Sequence, residues 1–528
     1  MSADDLAGLL LRLAEELAKR VQAAGKLPDA LDRRPNPDER WVWFSLTQVS
    51  ELAYEGLGIS NFGPLDGVSD DALASVLVLL DDWFSPLNPG MEELPPRPPQ
   101  FDSDLFESLE ERLRMAGRLF PPLGVDAPAL LIPAGRLGAS FDPKALATAG
   151  VNVATVALGL VAAKLRHVIP VPSHVTRSPM VAANDRQPPW RGEVPQRVAL
   201  QYRRALTDPA KPRAGQLKIA IAPIMESWAE GKFVPVPDRQ SYSVRHDYDP
   251  GKRVADVLDA AAQADILLFP EMALSEAGLA VLSRELKSRF SQSQPSPELV
   301  SAGVLGTSKV GPGSNRVYHL SRDGQVLMVQ DKLSPWDLNE NDRMRLGLAG
   351  WGDGLILEDI GFGATIHLVD TPLLGRLMSY ICADINDDLP ADYLIQAAGV
   401  DWVHAPIMDH STCWALDAAN GRCIESRWSV RRALRAARQG VRLIVTNSLA
   451  MTEQANRHNQ ESGNTGYVLQ DCGIGLLAEA IDGHAKVCHA KVALQAAASP
   501  NIRIVNWPSD RQPWGCDGYC IECRCAAS

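Results

Sequence analysis

Two rhythms of apolar and polar positions divide the chain. Up to about residue 175 leucines recur at three- and four-residue spacing in Asp5 to Ala24, Asp71 to Trp83 and Asp104 to Leu119, which predicts amphipathic helices. Ser85 to Pro99 holds six prolines and reads as an extended connector. A second connector, dense in Pro, Arg and polar residues, runs from about Pro170 to Pro212, with a short helix expected at Gln196 to Ala205. From Leu217 onward short apolar runs alternate with helical segments. The runs are Leu217 to Pro223, Asp265 to Phe269, Ala302 to Thr307, Arg316 to Leu320, Gln325 to Gln330, Thr365 to Asp370, Arg376 to Ile381, Asp401 to Ala405 and Val441 to Thr446. Strands mixed with helices in this order predict an α/β layered domain. The division expected is a mainly helical region over 1–175, a Pro-rich linker over 176–214, the α/β domain over 215–508 and a Cys-rich tail over 509–528.

Composition narrows the setting. A length of 528 residues exceeds one ordinary core, and 46% hydrophobic with 22% charged residues describes a soluble globular protein. The net charge of −12 argues against a general nucleic-acid binder. The six arginines between Arg427 and Arg442 read as one solvated helix face. The N-terminus lacks the cationic start and unbroken apolar core of a signal peptide, because Arg12, Glu15, Glu16, Lys19 and Arg20 interrupt its leucines. The most apolar window, Ala145 to Ala163, contains Asn152 and two threonines, which suits a buried soluble helix or strand-helix pair better than a membrane span. Nine cysteines without a secretory signal point to a reducing compartment, so a cytoplasmic location is expected.

Three strand ends carry candidate chemistry. Ile266 to Phe269 stops at Pro270 and delivers Glu271; Gln325 to Asp331 delivers Lys332; Leu377 to Ile381 delivers Cys382, followed by Ala383 and Asp384. At such ends loops converge on a crevice. A thiol at neutral pH is mostly protonated, so a carboxylate that takes its proton makes the nucleophile. Attack on an amide or nitrile carbon places negative charge on the heteroatom, which a fixed ammonium and the backbone N–H of Ala383 can stabilise. The carboxylic acid so formed can protonate the leaving amine. Taken singly, each residue has an ordinary reading as a loop carboxylate, a surface lysine or a small core thiol.

The ordered set Phe269-Pro270-Glu271, Gln330-Asp331-Lys332-Leu333 and Ile381-Cys382-Ala383-Asp384, with 61 and 50 residues between the reacting groups, resembles the nitrilase, or carbon-nitrogen hydrolase, superfamily. Asn315 to Tyr318, the Arg322-Asp323-Gly324 turn, Gly375 and Val445-Thr446-Asn447-Ser448 fit the same pattern. The resemblance covers about Leu217 to Val505. It implies an α-β-β-α sandwich, a Glu271, Lys332 and Cys382 triad, a supporting second glutamate at Glu340, small amide, carbamoyl or nitrile substrates, no cofactor for catalysis, and a homo-oligomer. Three features depart from it: the long segment Met225 to Pro250, Arg438-Gln439 where relatives carry Glu-Asn, and Ala383 in place of an aromatic residue. Acyl transfer from the same thioester to an amine or alcohol is an alternative, as is a ligand-sensing module coupled to the N-terminal region, which could also dock a protein partner.

In the tail, Cys516, Cys520, Cys523 and Cys525 form Cys-x3-Cys-x2-Cys-x-Cys. Four thiolates could hold a structural zinc ion, although zinc knuckles use two well-separated pairs and Cys523 and Cys525 are cramped for one ion. The other reading is free thiols, or thiols paired under oxidising conditions. His410 and Cys413 form a looser pair that reads as core or surface.

Overall fold

A computed structural model describes parts of 13–29, 69–83, 129–133, 168–177 and 193–204, and most of 217–507; the longest stretches left outside the later part are 417–422, 427–440, 464–470 and 494–499. The chain forms two compact units, Met1–His174 with Gln396–Gly399, and Val175–Ile395 with Val400–Ser528. No helix among the described residues is long and apolar enough to cross a membrane.

In the first unit, helix Asp70–Trp83 starts at Ser69, whose hydroxyl accepts from the Ala72 N–H at 3.2 Å, with Asp70 and Asp71 in the first turn. It buries Leu73, Ala74, Leu77 and Val78, the face its leucine spacing predicts. Helical residues between 13 and 24 bury Leu13, Leu17 and Val21 in the same way. An antiparallel pair, Ala129–Pro133 with Val168–Pro172, adds strand to a region expected to be mainly helical. The expected helix Asp104 to Leu119 and the apolar window Ala145 to Ala163, like the four tail cysteines, lie outside the described residues.

The second unit is built on two large sheets. In the first, six strands run in the order Val326–Asp331, Ser314–Ser321, Leu299–Gly306, Ile266–Leu268, Leu217–Ile221 and Arg503–Trp507, with Leu274–Ser275 also paired to Leu299–Gly306. The second has eight strands: His484–Ala493, Asp471–Ile481, Arg442–Asn447, Trp402–Ile407, Gly375–Ser379, Thr365–Thr371, Arg197–Arg204 and His174–Thr176. Alternation explains how the first sheet serves two layers. Leu267, Val300 and Ala302 join a core with Val254, Val257 and Leu258 of helix Pro250–Ala260 and with Leu282 and Leu286 of helix Glu276–Ser291. Their neighbours Ile266, Leu268, Leu299 and Ser301 point the other way and, with Leu377, Trp402, Val403 and Ile444 of the second sheet, line a small buried cavity between the sheets. Leu299–Gly306 and Trp402–Ile407 are therefore buried along their whole length. This is the mixed α/β layering that the strand rhythm predicts, with the two facing sheets of the sandwich that the resemblance implies. The arginine-rich segment between Arg427 and Arg442, expected to be one solvated helix face, lies mostly outside the described residues.

Two expectations change. Gln196 to Ala205 is not helical: Arg197–Arg204 is a strand paired in parallel with Thr365–Thr371, with Val198 and Leu200 buried and Ala199 and Gln201 exposed. Its Ala, Leu, Gln and Arg favour a helix locally, and sheet pairing overrides that preference. The compact unit accordingly begins at Val175, so the described part of the expected linker belongs to the sandwich. The long segment Met225 to Pro250 is also ordered. Gly231–Val236 and Ser241–His246 form a hairpin and join Ile356–Glu358 and Asp337–Leu338 in a four-stranded sheet.

Candidate active site

Glu271 follows the parallel strand Ile266–Leu268, which stops at Pro270 because proline has no N–H for the ladder. The corner is tight. Met272 adopts φ +52°, and the neighbouring strand approaches so closely that a Cβ on Gly303 would lie 2.1 Å from the Pro270 carbonyl oxygen and 2.8 Å from Glu271 Cα. Lys332 follows Val326–Asp331, and its N–H donates to the Asn315 carbonyl at 2.8 Å. Cys382 follows Gly375–Ser379 and opens a 3-10 turn, Cys382–Asn386, with φ +50°. A non-glycine residue in that left-handed region stores backbone strain, a recurrent property of nucleophile positions.

Lys332 Nζ donates at 2.8 Å to Glu271 Oε1 and at 2.8 Å to Glu358 Oε2, and all three side chains are at most 2% exposed. Asn315 Nδ2 bridges the same carboxylates, at 2.8 Å to Glu271 Oε1 and 3.0 Å to Glu358 Oε1. The Trp336 N–H donates to Glu358 Oε2 at 2.6 Å. Burial pushes the Glu271 carboxyl above its ordinary value, opposed by the charge of Lys332 and reinforced by Glu358. The two carboxylates outweigh the burial of the Lys332 ammonium and raise its pKa well above the ordinary lysine value. Cys382 lies in the same field: burial pushes its thiol well up, Glu271 pushes further, and Lys332 opposes. The resting thiol is therefore neutral. A thiolate would add a second net negative charge to a buried group of two carboxylates and one ammonium.

Asp384 ties two of these loops together. Its carboxylate accepts from the Leu333 and Ser334 N–H groups at 2.8 Å each and from the Ile381 N–H at 3.3 Å, so the turn after Lys332 and the elbow at Cys382 share one acceptor. Arg177 supports the turn from outside, donating to the Leu333 carbonyl at 3.0 Å, to Ser334 Oγ at 3.2 Å and to the Gly363 carbonyl.

Glu271 and Lys332 thus meet in one buried site, and the buried Cys382 thiol lies in its electrostatic field. Glu340 does not join it. That residue opens the six-residue helix Glu340–Arg345, N-capped by Asn339, and is exposed. The carboxylate on Lys332 is Glu358, 26 residues beyond it. Glu358 ends the apolar run Leu355-Ile356-Leu357, the same run-then-carboxylate signal that marks Glu271, but the strand is only three residues long. Ala383 is the second residue of the 3-10 turn and is half-buried. Among the described residues no cluster of His, Cys, Asp or Glu could hold a metal ion.

No protein-family model and no curated protein matches the chain. Its fold is similar to solved structures at low identity. An amidase from Nesterenkonia sp. is 15% identical, with a TM-score of 0.32 over 57% of this chain and 93% of its own. A mutant of the Nesterenkonia AN1 amidase, described as belonging to the nitrilase superfamily, is 15% identical with a TM-score of 0.31 over 56% and 93%. The glutamine-dependent NAD+ synthetase of Acinetobacter baumannii is 14% identical with a TM-score of 0.34 over 58% of this chain and 48% of its own.

Proposed function

We propose that this chain is a carbon-nitrogen hydrolase of the nitrilase superfamily, which cleaves small non-peptide amides, carbamoyl compounds or nitriles through a thioester on Cys382. The observation that carries this reading is the buried Lys332 ammonium, held by two carboxylates in the electrostatic field of a strained cysteine. A lysine that served only as a structural counter-ion would not need a nucleophile elbow beside it.

For an amide, Glu271 takes the Cys382 proton as the sulfur attacks the carbonyl carbon. The electron pair of the C=O bond moves to oxygen, which Lys332 and the Ala383 N–H receive. Charge accounting favours this route: the carboxylate becomes neutral as the oxyanion forms, so the net charge of the buried group does not change. Collapse of the adduct expels the amine, protonated by Glu271, and leaves the thioester. Glu271 then deprotonates water for the second attack, and the acid departs as the thiol re-forms. Glu358 holds Lys332 forward and keeps it charged. With Cys382 only 6% exposed, a small substrate fits better than a peptide.

The test is ammonia release from a panel of short amides, carbamoyl compounds and nitriles by the full chain, Cys382→Ala and Glu271→Gln, with hydroxylamine as a trap for the thioester. Turnover by wild type alone, with hydroxamate formed from the amides, is expected. No release across the panel, together with Cys382 alkylation by iodoacetamide that is indifferent to Glu271→Gln, would sink the reading.

A further inference from the structure

Polar side chains lie between the two sheets, where an apolar core is the default. Ser301, His319, Ser379, His404 and Thr446 are each at most 2% exposed, and the His319 and His404 rings meet edge to face at 6.2 Å. Burial keeps both rings neutral, with His319 pushed down to about 3 and His404 well below the ordinary value.

The bonds around His404 have one consistent direction. Thr446 Oγ1 donates to the Phe269 carbonyl at 3.0 Å, so toward His404, 3.0 Å away, the same oxygen can only accept. His404 Nε2 therefore carries the proton. Nδ1 of the neutral ring is then an acceptor, and Ser301 Oγ, at 2.7 Å, donates to it. The Ser301 carbonyl accepts from the Phe269 N–H at 2.8 Å, which closes a ring of bonds through four strand segments on both sheets. Phe269 is two residues before Glu271. The backbone of His404 serves the other half of the site, because its carbonyl accepts at 3.1 Å from the N–H of Tyr380, two residues before Cys382.

Resting on the hydrolase reading, we propose that His404 is a positioning residue: through Thr446 it fixes the Phe269 carbonyl and so the corner that aims Glu271, while its own carbonyl fixes the approach to Cys382. It moves no proton in the reaction. Its contribution is to hold the base and the nucleophile, which come from opposite sheets, in one geometry. Ångström-scale misplacement of a reacting group costs on the order of 100-fold in rate.

The experiment compares Thr446→Val, Thr446→Ser, Ser301→Ala and Glu271→Gln in the full chain. It reads the rate of Cys382 alkylation by iodoacetamide, kcat and KM for an amide, and the melting temperature. Thr446→Val keeps the shape and removes the hydroxyl; alkylation and kcat should fall about 10- to 100-fold with KM changed by less than about threefold, and the acid limb of the pH profile should move. Thr446→Ser should recover both rates to within about threefold. Wild-type rates in Thr446→Val with only a lower melting temperature would overturn the positioning role. If Thr446→Val does not fold, Ser301→Ala, which removes the donor to His404 Nδ1 and so loosens the ring that holds Thr446, decides the matter: slowed alkylation supports the role and an unchanged rate overturns it. Fast alkylation in Glu271→Gln would instead remove the hydrolase reading. Slow Glu271→Gln with fast Thr446→Val keeps that reading and removes only the role of His404.

Discussion

Lys332 balances two buried carboxylates, so its loss exposes how the centre is held. Lys332→Met should cost about 3–5 kcal/mol, because it leaves Glu271 and Glu358 without their counter-ion, and should abolish turnover; urea unfolding and ammonia release measure the two effects. The pH dependence has a definite sign. Glu271 must be ionised to act as base, and its pKa is raised, so kcat/KM should climb with pH along an acid limb lying above the ordinary carboxylate range. Glu358 contributes to that elevation. In Glu358→Gln the limb should move to lower pH, whatever happens to the maximal rate; movement to higher pH would contradict the assignment. The backbone at Cys382 offers a separate check. With φ at +50°, glycine relieves strain that alanine retains, so Cys382→Gly should be more stable than Cys382→Ala by about 1 kcal/mol in denaturant titrations.

Strand ends and their connections turn these side chains toward one another. Gly303→Ala places a methyl group against the Pro270 carbonyl oxygen, which is backbone and cannot swing aside. A loss of about 1–3 kcal/mol is expected, with a fall in kcat larger than the change in KM, since the displaced group is Glu271. Asp384→Asn weakens the acceptor shared by the Lys332 turn and the Cys382 elbow, and should reduce thermal stability and turnover together. Legibility in the sequence follows the same elements. Ile266 to Phe269 and Leu377 to Ile381 could be read because each is an unbroken apolar run ending on a reactive side chain. Glu358 was hidden because its three-residue strand gains its place from pairing Leu357 with Ser241 and Glu358 with Tyr242, a long-range contact without a local period. The same holds for Gly231–His246, whose hairpin lies inside the segment that departs from the family pattern. Arg197–Arg204 is illegible for the converse reason: its local preference is helical, and only its parallel partner makes it a strand.

At the scale of the whole chain, the sandwich closes on itself late in the sequence. Arg503–Trp507 pairs antiparallel with Leu217–Ile221, so nearly 300 residues separate the two members of one sheet edge. A chain ending at residue 500 would leave Leu217–Ile221 unpaired on that side, and its melting temperature should drop by several degrees, as calorimetry would show. The order in which the parts arrive has a chemical corollary. Lys332 needs one anion from 61 residues earlier and another from 26 residues later, and the sulfur follows 50 residues after Lys332. While the protein is being made, Cys382 is an ordinary accessible thiol, open to any electrophile or peroxide it meets. Completion of the sheets withdraws it from solvent and holds it protonated, so on the hydrolase reading its reactivity after folding comes to depend on Glu271.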